Sequence, residues 1–208
     1  MLKVGLTGGI ACGKSYTLRA LKRLGAETID SDLLARHVVE PGLPAYEQIV
    51  QEFGREFLKA SGELNRKRLG EIIFTNSESR RRLNEIVHPY ILAEEEKRLA
   101  ALERDDHSPK APMVVVDAAL MIETGSYRKY DFLIVVYCHP GIQLRRLMAR
   151  DQISEEGALL KIATQLPVIE KIQYADFIVE TSGKMSDTDE QVCQVFKELM
   201  IRYEEMVS

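Results

Sequence analysis

The 208-residue sequence has few cysteines, no excess of positive charge and no long hydrophobic run. Its three cysteines, Cys12, Cys138 and Cys193, have no spacing typical of a disulfide framework or a metal site, which favours a reducing compartment. The 28 lysines and arginines are outnumbered by 32 acidic residues, so the charge balance does not favour nucleic acid as a partner. No stretch approaches the roughly 18 apolar residues of a membrane span, and the opening run is too short for a signal peptide. We therefore expect a cytoplasmic protein that binds neither membranes nor nucleic acid.

The composition is typical of a folded globular protein, since 45% of the residues are hydrophobic and 29% are charged. The opening order of strand, glycine loop, helix and strand indicates a βαβ unit, and hence an α/β fold built on a parallel sheet. Apolar runs bounded by turn residues predict strands at 2–6, 26–30, 113–117, 132–137 and 177–179.

The segment 33–110 has a different character and contains no candidate for a central strand. Apolar residues recur at helical spacing from Tyr46 to Phe53 and again from Leu83 to Ile91. Pro89 lies within the second pattern, and we expect it to end or kink that helix. We interpret the segment as a helical insertion in the parallel-sheet core.

The segment from Gly8 to Ser15 reads GGIACGKS and matches the pattern G-x-x-x-x-G-K-S/T between a predicted strand and a predicted helix. Glycines let the backbone curl so that consecutive N–H groups point inward, and the helix adds its positive end. Lys14 supplies an ammonium for the β- and γ-phosphates, and Ser15 supplies a hydroxyl for Mg²⁺. The alternative interpretation of the motif is a glycine turn followed by a surface lysine, which would not bind a nucleotide. The motif predicts a bound nucleoside triphosphate with Mg²⁺, held by Gly9, Ile10, Ala11, Cys12, Gly13, Lys14, Ser15 and Tyr16.

Cys12 lies inside this phosphate loop (Gly8 to Ser15). Backbone N–H groups and a helix N-terminus lower the pKa of a nearby thiol. We therefore consider two interpretations, a reactive thiol that bound ATP shields, or a small residue that simply fits the loop.

A phosphate loop alone does not distinguish a kinase from a GTPase, a motor or a transporter ATPase. The GTPase motifs N-K-x-D and D-x-x-G are absent, and so is an LSGGQ-like signature. The most consistent class is a small kinase whose helical insertion binds the phosphate acceptor. A nucleotide-binding regulator without catalytic activity and a kinase of another acceptor, such as a nucleoside monophosphate, remain the alternatives.

Three aspartates lie at or just beyond the ends of predicted strands, at the edge where the phosphate loop lies. Asp32 comes just after the second strand, where it can accept a proton from the acceptor hydroxyl or cap the next helix. Asp30 is more consistent with a structural role. Asp117 ends the strand 113–117 and resembles a carboxylate that holds Mg²⁺, although a buried strand can also end in aspartate for other reasons.

Basic residues supply further candidates. Arg145, Arg146 and Arg150 follow the strand 132–137, where a guanidinium could stabilise the transferring phosphoryl group or lie on a solvated helix face. The run Arg80-Arg81-Arg82 is more consistent with a solvated face than with a site for acceptor phosphates. His88 could be a boundary residue of its helix or could face the acceptor.

Together these residues resemble the dephospho-CoA kinase family over nearly the whole chain. The resemblance implies ATP-dependent phosphorylation of the ribose 3′-hydroxyl of dephospho-CoA to CoA and ADP, the last step of coenzyme A biosynthesis. It implies a P-loop NTPase-type parallel sheet with flanking helices (core 1–32, 111–140 and 174–208), the helical insertion 33–110 as substrate-binding domain, and a small helical lid over 141–173. The matching segments are Leu6 to Ile10, Asp30-Ser31-Asp32, Arg36-x-Val38-Val39-Glu40-Pro41-Gly42, Arg66-x-x-Leu69 with Phe74, His88-Pro89, Leu120-x-x-Glu123, Gln143-x-x-Arg146 and Ala175-Asp176.

The resemblance also implies roles for single residues. Asp32 matches the proposed base of the family, and Arg146 matches the lid arginine that approaches ATP. The positions near the acceptor are Thr7, Arg66, His88, Leu120 and Glu123. The chain departs from the family pattern at Ala119, at Tyr16, and at Thr181-Ser182-Gly183, where the family has an asparagine-containing turn near the adenine. Gly183 is retained as a nucleotide-binding candidate, and the sequence gives no indication of oligomeric state.

Overall fold

The computed structural model describes residues 1–104 and 112–208, without the side chains of Phe74 and Thr75. It divides into two compact units. The sheet unit comprises Met1–Ile29 and Asp106–Ser208, and the helical unit comprises Asp30–Asp105. The predicted boundary between insertion and core, at residues 110 and 111, lies outside the described residues.

A five-stranded sheet with the strand order β2-β3-β1-β4-β5 forms the centre of the sheet unit. Its strands are β1 (Leu2–Gly8), β2 (Glu27–Asp30), β3 (Met113–Asp117), β4 (Phe132–Tyr137) and β5 (Phe177–Glu180). The pairs β1–β3, β1–β4 and β4–β5 are parallel. The expected parallel sheet and all five predicted strands are therefore confirmed, with bounds that differ by no more than two residues from the predicted ones.

Helices connect the strands and supply the rest of the fold. They are α1 (Lys14–Arg23), α2 (Ser31–His37), α3 (Pro44–Phe53), α4 (Arg66–Thr75), α5 (Ser77–Arg104), α6 (Pro140–Asp151), α7 (Glu155–Ile162), α8 (Val168–Lys171) and α9 (Met185–Val207). Among the described residues, no helix carries an apolar stretch long enough to cross a bilayer.

Both faces of the sheet are covered, as the apolar character of β4 requires. Ile134 and Val136 belong to a buried cluster that includes residues of α1 and α9. Leu133 and Val135 belong to a second cluster with Met121. Because successive strand residues point to opposite faces, these two clusters place packed side chains on both sides of β4.

The helical unit has its own core. Val38, Ala45, Tyr46, Ile49 and other buried residues of this unit pack together, and partly buried side chains of α5 cover them. The helix α5 runs through Pro89 as far as Arg104, so the helix does not end at the proline, and the expected alternative of a kink stays a prediction. A proline removes only one backbone hydrogen bond, and apolar side chains of α5 on both sides of it pack against the core of the helical unit.

Candidate active site

The phosphate loop connects β1 to α1, and its shape depends on two glycines. Gly8 has φ 154°, and a Cβ there would lie 2.3 Å from the Val136 carbonyl oxygen. Gly13 has φ 93°, and a Cβ there would meet Thr181 at 3.3 Å. Both positions combine left-handed backbone with close neighbours, so side chains at either would be strained. The motif therefore folds here as a tight turn held against β4 and Thr181.

The N-terminus of α1 presents backbone donors at the end of this turn. The N–H groups of Tyr16 and Thr17 both donate to the Gly13 carbonyl, at 2.9 and 3.1 Å. The preceding N–H groups, of Lys14 and Ser15, belong to the first turn of a helix, where no intrahelical acceptor exists. Together with the positive end of α1 and the Lys14 ammonium, they form a site whose chemistry fits a polyphosphate.

Two glutamines hold the backbone of Ile10 within the loop. Gln143 of α6 donates from Nε2 to the Ile10 carbonyl at 2.9 Å. The Ile10 N–H donates to Oε1 of Gln165 at 2.8 Å. Gln143 is among the residues that carry the family resemblance, whereas no sequence pattern indicated Gln165. The segment predicted as a lid thus contributes two direct contacts to the phosphate loop.

Thr181 joins the loop to Arg146. Its buried hydroxyl donates to the Cys12 carbonyl at 2.7 Å and accepts from Nη1 of Arg146 at 3.0 Å. Nη2 of Arg146 also donates to the Thr181 carbonyl at 2.6 Å. In the sequence, Thr181 stands out only as a departure from the family pattern. The structure makes it the residue that places the Arg146 guanidinium beside the phosphate loop.

A buried lysine organises the segment that follows β3. Lys171 of α8 is fully buried, and its Nζ donates to the Ala119 carbonyl at 2.7 Å and lies 2.8 Å from Oε1 of Glu123. Burial lowers the pKa of the Lys171 ammonium, and the Glu123 carboxylate opposes that effect. The Thr7 hydroxyl donates to the same Ala119 carbonyl at 3.3 Å. The predicted acceptor residues Thr7 and Glu123 are thus joined through Lys171 and Ala119, with Leu120 exposed between them.

Asp117 and Ser15 supply oxygen atoms suited to a hard cation such as Mg²⁺. Asp117 is buried at the end of β3, where it lies opposite Leu6 of the strand that leads into the phosphate loop. In residues 1–104 and 112–208 no group of three or more histidine, cysteine or acidic side chains could hold a metal by itself. A magnesium ion here would therefore take its remaining ligands from phosphate oxygens and water, as Mg²⁺ commonly does.

Two nucleotide candidates remain, Tyr16 in α1 and Gly183 just before α9. The Tyr16 hydroxyl donates to Oδ2 of Asp189 in α9 at 2.8 Å, which raises the pKa of the tyrosine. Gly183 lies in the turn between β5 and α9, where a Cβ would approach Asp187. The Tyr16 side chain is therefore engaged in holding α1 against α9.

In the helical unit, the two neighbouring aspartates have different roles. Oδ1 of Asp30 accepts from the N–H groups of Asp32 and Leu33, at 2.9 and 3.1 Å, and so caps α2. The structural interpretation of Asp30 is confirmed, and the alternative of Asp32 as the cap was wrong. Asp32 lies exposed in the first turn of α2, with its carboxylate not required for capping.

The other candidates of the helical unit lie on α4 and α5. Nη2 of Arg66 donates to the Arg36 carbonyl at 3.0 Å, and burial, with the nearby Arg36 charge, lowers the pKa of the Arg66 guanidinium. His88 is half-buried on α5. Arg81 forms ion pairs with Glu78 and Glu85 of its own helix, and Arg82 pairs with the same two carboxylates. These pairs support the solvated-face interpretation of the arginine run.

Two cysteines that are distant in sequence meet beside the phosphate loop. Cys12 and Cys138 are both fully buried, with their sulfur atoms 3.3 Å apart. No spacing in the sequence connects these two cysteines, and only the fold brings them together. The contact from Cys138 lowers the pKa of Cys12, aided by Lys14 and opposed by burial, whereas the same contact and burial raise that of Cys138. The Cys12 thiol is thus buried against Cys138, and both interpretations of Cys12 stay predictions.

Comparison with known proteins supports the resemblance over nearly the full length. The dephospho-CoA kinase family model matches residues 2–187. A dephospho-CoA kinase of Geobacter metallireducens is 44% identical over 198 residues, which cover 95% of this chain and 96% of that protein. A dephospho-CoA kinase domain-containing protein of Danio rerio is 42% identical over 200 residues, with 96% and 86% of the two chains covered.

Solved structures also match this chain over nearly its full length. The dephospho-CoA kinase of Campylobacter jejuni matches with a TM-score of 0.68 at 30% identity, covering 95% of this chain and 96% of that one. A crystal structure from Thermus thermophilus matches with a TM-score of 0.80 at 27% identity, covering 95% and 97%. A shikimate kinase from Acinetobacter baumannii matches with a TM-score of 0.55 at 17% identity, and this match shows only that the two chains share a fold. The chain therefore belongs to the dephospho-CoA kinase family, whose reaction is the ATP-dependent phosphorylation of dephospho-CoA in coenzyme A biosynthesis.

Proposed function

We propose that the chain transfers the γ-phosphoryl group of ATP to the ribose 3′-hydroxyl of dephospho-CoA, giving CoA and ADP. The observation that carries the proposal is the arrangement around Thr181, which binds the Cys12 carbonyl of the phosphate loop and holds Arg146 beside it. A guanidinium next to a phosphate loop can disperse the charge that develops on a transferring phosphoryl group. The three free cysteines are consistent with a cytoplasmic location for this reaction.

For the nucleotide, the proposal assigns the polyphosphate to the loop of residues 9–16, with the N–H groups of Lys14 and Ser15 as donors, and to the Lys14 ammonium. Arg146 approaches the γ-phosphate, and Gly183 lies on the adenine side. Ser15 and Asp117 would hold Mg²⁺, which supplies positive charge to the β- and γ-phosphate oxygens when bound. The contacts of Gln143 and Gln165 with Ile10 favour a preformed loop, which lowers the cost of binding.

For the acceptor, we assign residues on the basis of the family match. Asp32 accepts or orients the 3′-hydroxyl proton, since its exposed carboxylate is not used to cap α2. The residues assigned to binding dephospho-CoA are Thr7, Arg66, His88, Leu120 and Glu123. The segment 33–110 is the acceptor-binding insertion in this proposal, and 141–173 is the lid that excludes water from the reacting phosphate.

The proposed chemistry needs no covalent intermediate. A turnover of ~10 s⁻¹ corresponds to a barrier near ~16 kcal/mol. Positioning of the two substrates and neutralisation of the phosphoryl charge supply the main part of catalysis in phosphoryl transfer. The proposed groups, Lys14, Arg146, Asp32 and Mg²⁺, are of the types that such catalysis uses.

The test is a coupled ADP-release assay with dephospho-CoA, followed by phosphorus NMR to locate the new phosphate on the product. Asp32→Asn should leave the KM for ATP nearly unchanged and lower kcat by at least ~10²-fold, because the carboxylate is lost and the shape is kept. Asp30→Asn is the matched control, since asparagine caps a helix as well as aspartate does. Near-normal turnover of Asp32→Asn would remove the base role, and a preference for a nucleoside monophosphate would overturn the assigned acceptor.

A further inference from the structure

The buried pair of Cys12 and Cys138 is not used by the proposed reaction. Cys12 belongs to the phosphate loop, and Cys138 follows β4 directly. Their sulfur atoms are 3.3 Å apart although the residues are separated by 126 positions in the chain. A disulfide needs a sulfur separation of about 2.05 Å, so closing the gap requires a shift of only about 1.2 Å.

We propose that Cys12 and Cys138 form a site of reversible oxidation, in which hydrogen peroxide converts the two thiols into a disulfide that disables the phosphate loop. The consequence for activity rests on the proposed nucleotide-binding function of the loop. Formation of the disulfide itself does not depend on that function.

The chemistry balances with one equivalent of peroxide. The Cys12 thiolate attacks one peroxide oxygen, the O–O bond breaks, and a sulfenic acid forms while the other oxygen leaves as hydroxide and is protonated to water. The Cys138 sulfur then attacks the sulfenic sulfur, the S–O bond breaks, the S–S bond forms, and a second water is released. Two electrons pass from the sulfurs to the peroxide. The lowered pKa of Cys12 makes it the attacking residue.

Burial limits which oxidant can reach the two thiols, and the hydrogen bonds around each cysteine determine what has to give way when the gap closes. Both thiols are fully buried, so a molecule as small as hydrogen peroxide is favoured over a bulky disulfide such as oxidised glutathione. The neighbours of Cys138 are fixed, because the Tyr137 carbonyl accepts from the Thr181 N–H and the His139 N–H donates to Ser182.

Cys12 lies in the loop instead, with its N–H donating to the Gly9 carbonyl at 3.1 Å and its carbonyl accepting from Thr181. Closing the disulfide therefore strains these contacts of the loop and displaces the Cys12 backbone. A displacement of about 1 Å in a binding site can cost up to ~10²-fold in function. We expect the affinity of the oxidised protein for Mg-ATP to fall by at least ~10-fold.

The experiment treats the full-length protein with hydrogen peroxide, maps its disulfides by peptide mass spectrometry, and measures Mg-ATP binding by calorimetry before and after dithiothreitol. The wild type should show a Cys12–Cys138 peptide and a weakened affinity that dithiothreitol restores. Cys193→Ser, the matched control outside the pair, should behave in the same way. Cys138→Ala and Cys138→Ser should bind Mg-ATP when reduced and show no reversible loss after peroxide.

Three outcomes would overturn the proposal. The first is a Cys12–Cys138 pair that stays reduced under conditions that oxidise Cys193. The second is sulfenic or sulfinic acid on Cys12 without a cross-link. The third is a complete disulfide that leaves Mg-ATP affinity unchanged. Failure of the reduced wild type to bind Mg-ATP would instead count against the proposed function, so the two failures are distinguishable.

Discussion

Replacing Lys171 by methionine should destabilise the protein by about 3 kcal/mol, because it removes one partner of a buried ion pair. Lys171 is fully buried and contacts the Ala119 carbonyl and the Glu123 carboxylate. Breaking such a pair costs about 3–5 kcal/mol. The lower end applies here because the Glu123 side chain keeps 23% exposure and still accepts from the Leu166 N–H. Methionine fills most of the aliphatic volume, so the cavity contribution stays small.

Urea unfolding and thermal melting measure this effect. A loss of about 3 kcal/mol lowers the Tm of a chain this size by about 6–12 °C. Glu123→Leu should also destabilise, since it leaves the buried ammonium with only the Ala119 carbonyl. The double variant should be more stable than the sum of the single losses predicts, by about 1–3 kcal/mol, because no uncompensated charge remains.

A Lys171→Met protein within about 0.5 kcal/mol of the wild type would refute this reasoning, since that is the range of ordinary surface changes. Strict additivity in the double variant would also refute it, because Lys171 and Glu123 would then stabilise the fold independently. A matched control is Lys161→Met, which removes a lysine of the same unit that keeps 30% exposure. Its cost should be no more than about 1 kcal/mol.

Three further changes have defined expectations. Arg150 and then Lys161 lower the pKa of Asp151 to about 2, so its stabilisation is present above about pH 4 and lost towards pH 2. Asp151→Asn should therefore cost about 1–2 kcal/mol at neutral pH and progressively less as the pH falls through 2, measured by urea unfolding across that range. Thr181→Val should raise the KM for ATP by roughly 5–10-fold with a smaller change in kcat, because it removes the hydroxyl that holds the loop. Pro89→Ala should raise the free energy of unfolding by about 1–2 kcal/mol, since it restores a backbone donor inside a helix.

Each of these expectations can fail in a specific way. The acid-stability profile of Asp151→Asn could run parallel to that of the wild type, which would exclude the ion pairs as the cause. An unchanged KM for ATP in Thr181→Val would show that the loop keeps its position without the hydroxyl. A less stable Pro89→Ala protein would mean that the proline ring itself is part of the packing.

Local patterns in the sequence were sufficient for most of the secondary structure. The strands 113–117 and 132–137 occur with the predicted bounds. A strand that is buried on both faces has a continuous apolar run rich in β-branched residues, which can be recognised in the sequence. The phosphate loop could also be predicted, since all its groups are contiguous in the chain. Of the two outcomes expected at Pro89, a helix end or a kink, the helix end does not occur, because tertiary packing outweighed a local preference.

The partners of the loop could not be predicted in this way. Thr181 lies 169 positions from Cys12, and Cys138 lies 126 positions from it, so no spacing rule connects them. Lys171 has the pattern of an ordinary charged residue in a short helix, and only the fold makes it fully buried. Likewise, the sequence suggested Asp32 as a cap of the next helix, and only the backbone of α2 shows that the Asp30 carboxylate lies on the N–H groups instead.

The sequence by itself determined the features that contiguous residues encode, namely the strands, the phosphate loop and the membership of the family. The tertiary structure alone decided which distant side chains support that chemistry, including the clamp of Thr181 on the loop and the meeting of two thiols beside it. The physical reason is that periodicity and backbone preference act within a few residues, whereas hydrogen bonds and burial depend on which segments the folded chain brings together.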